Sequence, residues 1–83
     1  MKLEEIDISR IKVGKRIRRE LGDIETLAKS IREIGLLNPI TVREDGSSYR
    51  LLAGFRRLKA CKSLGWEKIP SQVLEEGESA WRP

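Results

Sequence analysis

Histidine is absent from the 83-residue chain, which removes Ser-His and Cys-His nucleophile pairs together with the commonest zinc ligand. Cysteine occurs once, at Cys61, so no intramolecular disulfide or thiolate metal cage can form, and a reducing compartment is expected. Long apolar runs are missing as well. No window approaches the roughly eighteen consecutive apolar residues of a membrane span, and the opening MKLEEIDISR has no apolar signal-peptide core. The chain is therefore read as cytoplasmic, with no membrane partner. Aromatic side chains are few: Tyr49, Phe55, Trp66 and Trp81. They are not interleaved with cations as on a single-strand binding platform. What remains for chemistry is Asp, Glu, Lys, Arg, Ser and the backbone.

Eighty-three residues suffice for one small domain and exclude a large multidomain enzyme. A hydrophobic content of 39% is enough for a packed core, so wholesale disorder is not expected. Lys and Arg number 17 against 13 Asp and Glu, a net charge of +4 that makes a polyanionic partner worth considering. The excess is clustered. Arg10, Lys12, Lys15, Arg16, Arg18 and Arg19 fall in a stretch without acids, and Arg56, Arg57, Lys59 and Lys62 form a second group. Glu75, Glu76 and Glu78 reverse the sign, so residues 1–74 are read as the domain and 75–83 as a polar tail or truncated linker.

Ile24, Leu27, Ala28, Ile31 and Ile34 recur at helical spacing, with Asp23 as N-cap and Gly35 just past the end. This spacing predicts a helix over 24–34. Two β-prone runs, 40–43 and 49–53, flank a turn-rich 44–48 that suggests a hairpin. Gly54 opens a second helix in which Phe55, Leu58, Cys61 and Leu64 share a face, and Gly65 closes it. Strands near 5–8 and 71–74 complete a β-α-β-β-α-β order. The expected fold is α+β, a small mixed sheet with two main helices.

The segment from Leu51 to Ala60 runs from strand through glycine into helix. A helix start offers free backbone N–H groups and the positive dipole end, and Gly54 permits an anion to approach the backbone. Arg56 and Arg57 stand in the first turn, where guanidinium forks reach a phosphate that the amides hold. Cations there oppose the dipole by a few tenths to about 1 kcal/mol each, which a bound anion or solvent screening must offset. The plainer alternative is a basic surface helix that is only solvated. The run Lys15 to Arg19 carries the same ambiguity, with Ile17 expected to point inward. Cys61 reads as a core residue, Trp66 as a lid on the second helix, and Glu20 as a lone carboxylate near the basic run.

Leu27 to Ile40 spells L-x-x-S-I-x-x-x-G-L-x-x-P-I, and Ala53 to Ala60 spells A-G-x-R-R-L-x-A. Together these motifs resemble the N-terminal domain of ParB proteins in the ParB/sulfiredoxin superfamily, over about residues 6–74. The resemblance implies a pocket for CTP or ATP, with Mg²⁺ as a companion ion. It assigns phosphate contacts to Gly54, Phe55, Arg56 and Arg57 and to Arg18 or Arg19 of the basic segment. Ser30, Leu37, Asn38, Pro39 and Ile40 would line the pocket. Phe55 replaces the acid of the family's usual Gly-Glu-Arg-Arg, which weakens the expectation of hydrolysis and leaves at most a weak NTPase. The Phe55-Arg56-Arg57 sequence also departs from the Cys-His-Arg of sulfiredoxins. The family's DNA-reading helix-turn-helix and dimerisation region would lie beyond Pro83, so a stand-alone domain and a fragment are both open. The implied role is a nucleotide-binding module in DNA partition or another DNA-linked process, pairing with a second copy. The alternatives are a phosphoryl-transfer enzyme or nuclease of the same fold, and a direct nucleic-acid-binding domain.

Overall fold

Helix α1 spans Ile24–Ile34, and Asp23 caps it by accepting from the Thr26 amide at 3.0 Å and from the Thr26 hydroxyl at 2.5 Å. The Gly35 amide closes the other end on the Ile31 carbonyl at 2.7 Å, with Gly35 at φ +95°. Of the apolar stripe, Ala28 and Ile31 are buried, whereas Ile34 is 64% exposed. At 100° per residue Ile34 lies at the outer margin of the stripe, in the last turn.

The computed structural model describes residues 2–14, 23–35 and 38–75. Strand β1 (Lys2–Asp7) leads through a 3₁₀ turn (Ile8–Arg10) into the two-residue strand β2 (Ile11–Lys12). After α1 come β3 (Ile40–Asp45), β4 (Ser48–Ala53), α2 (Phe55–Ser63) and β5 (Lys68–Leu74). The five strands form one mixed sheet in the order β1-β5-β3-β4-β2. Pairs β1/β5 and β3/β4 are antiparallel, and β3/β5 and β2/β4 are parallel. The α+β architecture expected from the sequence is present, and β2 adds a strand too short to leave an alternation in the sequence.

Three boundaries differ from the expectation. The hairpin loop is only Gly46-Ser47, because the strands continue to a pair between Asp45 and Ser48. Gly46 takes φ +64° at the first loop position, a geometry that matches strand twist and keeps short loops closed. The first strand ends at Asp7, and Ile8 turns away with its amide on the Glu67 carbonyl at 2.9 Å. Strand β5 begins at Lys68 and runs through Pro70. Pro70 is tolerated because β3 joins β5 only from Ser71 onward, so the missing N–H costs no ladder bond to that neighbour.

Ile6, Ile40, Val42, Leu51, Ile69 and Val73 project from one face of the sheet onto Ala28, Ile31, Leu58, Ala60 and Cys61 of the helices. Each fully buried aliphatic contributes about 1.5–3 kcal/mol of transfer free energy. Ser71 is buried among them and donates its hydroxyl to the Ile69 carbonyl at 3.0 Å. Past α2, the Gly65 amide reaches the Lys62 carbonyl and the Trp66 amide the Cys61 carbonyl, at 3.0 and 3.1 Å. That reciprocal pair ends α2, with Gly65 at φ +85° and Trp66 folded against the core.

Candidate functional site

Strand β4 ends at Ala53 and the chain enters α2 through Gly54 at φ +99°, ψ 29°, a left-handed conformation that disfavours any side chain. A Cβ at Gly54 would lie 2.8 Å from Ile40 Cγ2 and 3.0 Å from an Arg57 guanidinium nitrogen. Glycine is therefore demanded here by backbone conformation and by the packing of Ile40. The space beside its Cα is filled by the protein itself, so an anion would approach from the amide side of the turn. There the first intrahelical bond runs from the Leu58 amide to the Gly54 carbonyl at 2.9 Å. The amides of residues 55–57 precede it, and the N-cap Gly54 has no side chain with which to cap them. The first turn holds no acid.

Both arginines of that turn are present at the helix start. Arg57 is half-buried, with its guanidinium folded back against Gly54. Arg56 is exposed, and its charge reaches Asp23 at the start of α1. Hydrogen bonds from the Thr26 hydroxyl and amide hold the Asp23 carboxyl below its usual 3.8, and the Arg56 charge lowers it further. The starts of both helices thus share one region of field, and α1 packs directly on α2.

Among the residues expected at the site, Ile40 and Arg57 both border Gly54. Pro39 and Asn38 lead into Ile40, half-buried and exposed respectively. Ser30 is exposed on α1, and among the described residues no hydrogen bond ties it to the α2 turn. Arg18, Arg19 and Leu37 lie outside the described residues, as do Ile17 and Glu20. Phe55 packs against the core edge and lines a cleft of about 420 Å³. Ile8, Ile11 and Val13 form the opposite wall of that cleft, and Lys59 and Lys62 edge it. Sequence reasoning missed this cleft, since a 3₁₀ turn and a two-residue strand have no periodic signature. It also missed Arg10, whose guanidinium donates to the Ser47 carbonyl at 2.6 and 3.1 Å and lies 5.1 Å from the Tyr49 ring centre.

Cys61 is completely buried, and burial pushes its thiol up to about 11. It is a core residue without thiolate character. Among the described residues no group of three His, Cys, Asp or Glu side chains is placed to hold a metal ion. No helix among them is long and apolar enough to cross a membrane.

Comparison with known proteins gives this geometry a context. The protein named "Probable plasmid-partitioning protein ParB" from Thermus thermophilus is 43% identical over 65 residues, 78% of this chain and 22% of that protein. A nucleoid occlusion protein of Halalkalibacterium halodurans is 45% identical over 56 residues, 68% of this chain and 20% of that protein. The chain thus spans about a fifth of the length of these relatives. Among solved structures, C-terminally truncated ParB of Caulobacter crescentus complexed with CTP-gamma-S superposes with a TM-score of 0.78 at 32% identity, over 90% of this chain and 45% of that one. Sulfiredoxin of Arabidopsis thaliana superposes with a TM-score of 0.80 at 27% identity, over 90% and 86%. The family model for the ParB N-terminal domain matches residues 1–81, and this chain belongs to that family.

Proposed function

We propose that the chain is a nucleotide-binding module of a ParB-type system serving DNA partition or a related DNA-linked process, with CTP the first candidate ligand and ATP the second. The observation that carries the reading is the α2 start: a left-handed glycine at the cap position, no acid in the first turn, and Arg56 and Arg57 within that turn. Such an N-terminus lacks the negative charge that stabilises most helix starts, and a phosphate supplies it. In this reading the amides of 55–57 donate to phosphate oxygens and the two guanidinium groups add charge-assisted bonds. Gly54 sets the turn, Asn38, Pro39 and Ile40 frame it, and Ser30 and Leu37 complete the pocket. Arg18 or Arg19 brings a further cation. A ParB at 32% identity that was solved with CTP-gamma-S supports the choice of CTP. Mg²⁺ would enter with the triphosphate and offset part of its charge.

Hydrolysis is a second matter. Phosphoryl transfer calls for a carboxylate near the phosphates to hold the metal ion or take a proton. Phe55 occupies the nearest first-turn position with an apolar ring. Turnover is accordingly expected to be weak, and Phe55→Glu is expected to raise it. Unchanged phosphate release in that variant would argue against catalytic use of this position.

Calorimetry with each of the four NTPs, with and without Mg²⁺, tests the proposal. Saturable NTP binding that Arg56→Ala weakens at least tenfold supports it. The competing reading is a direct nucleic-acid footprint, and a salt series on DNA binding separates the two. Salt-steep DNA binding indifferent to NTP and to Arg56→Ala would favour the footprint.

A further inference from the structure

We propose that the cleft between α2 and the 3₁₀ turn–β2 segment is a docking groove for an acidic, apolar peptide segment of a partner protein. This goes beyond nucleotide binding and does not depend on it. The groove has two lobes, about 420 and 510 Å³, which share Ile8, Ile11 and Lys62. Its floor is hydrophobic. Ile8, Ile11 and Val13 face Phe55 and Leu58, and all of these but Leu58 are only partly buried. In the second lobe Trp66 continues the apolar wall. Apolar side chains thus line both walls of an open channel among the described residues, a larger continuous feature than scattered surface hydrophobics produce.

Charge selects the occupant. Lys59 and Lys62 stand one helical turn apart on the α2 side, about 4.5 Å along the axis. Their stems cover apolar surface while their ammonium groups remain at the edge. Neither has an ion-pair partner among the described residues, where the salt bridges are Lys2–Glu4 and Arg50–Asp45. The first lobe therefore has a cationic margin and no carboxylate. Asp7 and Glu67 border only the second lobe, beyond Lys62. A segment that seats apolar side chains between Ile11 and Phe55 while setting carboxylates against Lys59 and Lys62 matches this layout. A basic segment would meet the two cations at the margin of the groove. The cleft lies within the range of volumes that hold anchoring side chains, and charge complementarity here sets specificity and encounter rate.

The test uses the 83-residue chain and a displayed library of random twelve-residue peptides as the probe. Selected peptides are expected to combine Asp or Glu with Leu, Ile or Phe and to shift the methyl resonances of Ile8, Ile11, Val13 and Leu58. The double reversal Lys59→Glu, Lys62→Glu is expected to weaken them at least tenfold and to turn selection toward Lys- and Arg-bearing peptides. Both substitutions place a good helix former in α2, at half-buried Lys59 and exposed Lys62. If that variant does not fold, Lys62→Gln is expected to weaken binding about threefold. Selection without acidic-apolar enrichment, or peptides that shift only residues outside the groove, would overturn the proposal. So would NTP competing with the peptides at these methyls, which would assign the groove to the nucleotide. Concentration-dependent self-association that shifts the same methyls would assign it to a second copy of the chain and equally overturn the proposal.

Discussion

The two helices of this domain begin in opposite ways. At α1, Asp23 caps the first turn through Thr26, Glu25 adds an acid, and Arg32 places a cation in the last turn. Every one of these features favours the helix dipole. At α2 the cap position is Gly54 in a left-handed conformation, the first turn has no acid, and two arginines stand where their charge opposes the dipole. One start is built to stabilise a helix; the other places a glycine and two cations where the dipole favours negative charge. That contrast, between neighbouring helices packed on the same sheet, is the physical basis of the nucleotide reading.

The comparison can be broken most severely at the α2 turn. Gly54→Ala forces a side chain into φ +99° and sets its Cβ 2.8 Å from Ile40 Cγ2. Backbone strain of about 1–2 kcal/mol plus the clash is expected to lower thermal stability by more than any surface change. Ile40→Ala, which empties a fully buried position, is expected to cost about 2–5 kcal/mol by denaturant titration. The combination Gly54→Ala, Ile40→Ala is expected to be less damaging than the sum of the two, because the second change removes the 2.8 Å approach to Cγ2. Additive losses would show that Ile40 is not what the missing Cβ protects.

Arg56→Gln tests function apart from folding. Loss of a charge-assisted phosphate contact, worth about 1.5–3 kcal/mol, is expected to weaken NTP binding roughly 10- to 100-fold. The melting temperature without ligand is expected to stay within a few degrees of the parent. Equal NTP affinity in the variant would remove Arg56 from the site.

Asp23 provides the opposite case, with the smallest expected effects. Asp23→Ala is expected to lower the melting temperature while Asp23→Asn, which keeps an acceptor for the Thr26 amide, largely preserves it. The carboxyl is held below its ordinary 3.8 by the Thr26 bonds first, then by the Arg56 charge, and last by the Glu25 amide. A depressed carboxyl stabilises the fold above the unfolded value and loses that contribution as pH falls below 3.8 toward the folded one. Circular dichroism melts on an acid series should show a shallower acid decline in Asp23→Asn than in the parent. At the alkaline end the sign reverses for Cys61. Its thiol is raised from 9.0 to about 11, so stability falls as pH rises from 9.0 toward 11, and Cys61→Ala is expected to flatten that decline.

What the sequence revealed follows from what has a period. The α1 bounds, 24–34, are the same in sequence and structure because stripe, cap and terminal glycine agree. The turn into α2 was legible for the same reason, and Cys61 sits in the core as its place on the apolar face implied. Strand ends were less legible. Glu44 and Asp45 look like loop residues, yet they extend β3 because Gly46 alone supplies the reversal. Pro70 looks like a strand breaker, and only the late arrival of β3 beside β5 shows why it is not. The site was readable as a glycine turn with two arginines. That the Gly54 void is filled by Ile40 and the Arg57 guanidinium depends on a contact between β3 and α2, which no local pattern encodes. The groove beside Phe55 is of the same kind, assembled from residues 8–13 and 55–66 across the fold.

The central claim is that the glycine-led start of α2 is an anion seat for a nucleoside triphosphate. Amide nitrogen-15 chemical shifts of the chain titrated with CTP and Mg²⁺ read that seat directly. The account predicts that the largest shifts fall on Gly54, Phe55, Arg56 and Arg57, saturate with CTP, and need roughly 10- to 100-fold more CTP to saturate in Arg56→Gln. Saturation with CTP, ATP, GTP or UTP that leaves those four amides unmoved would contradict it.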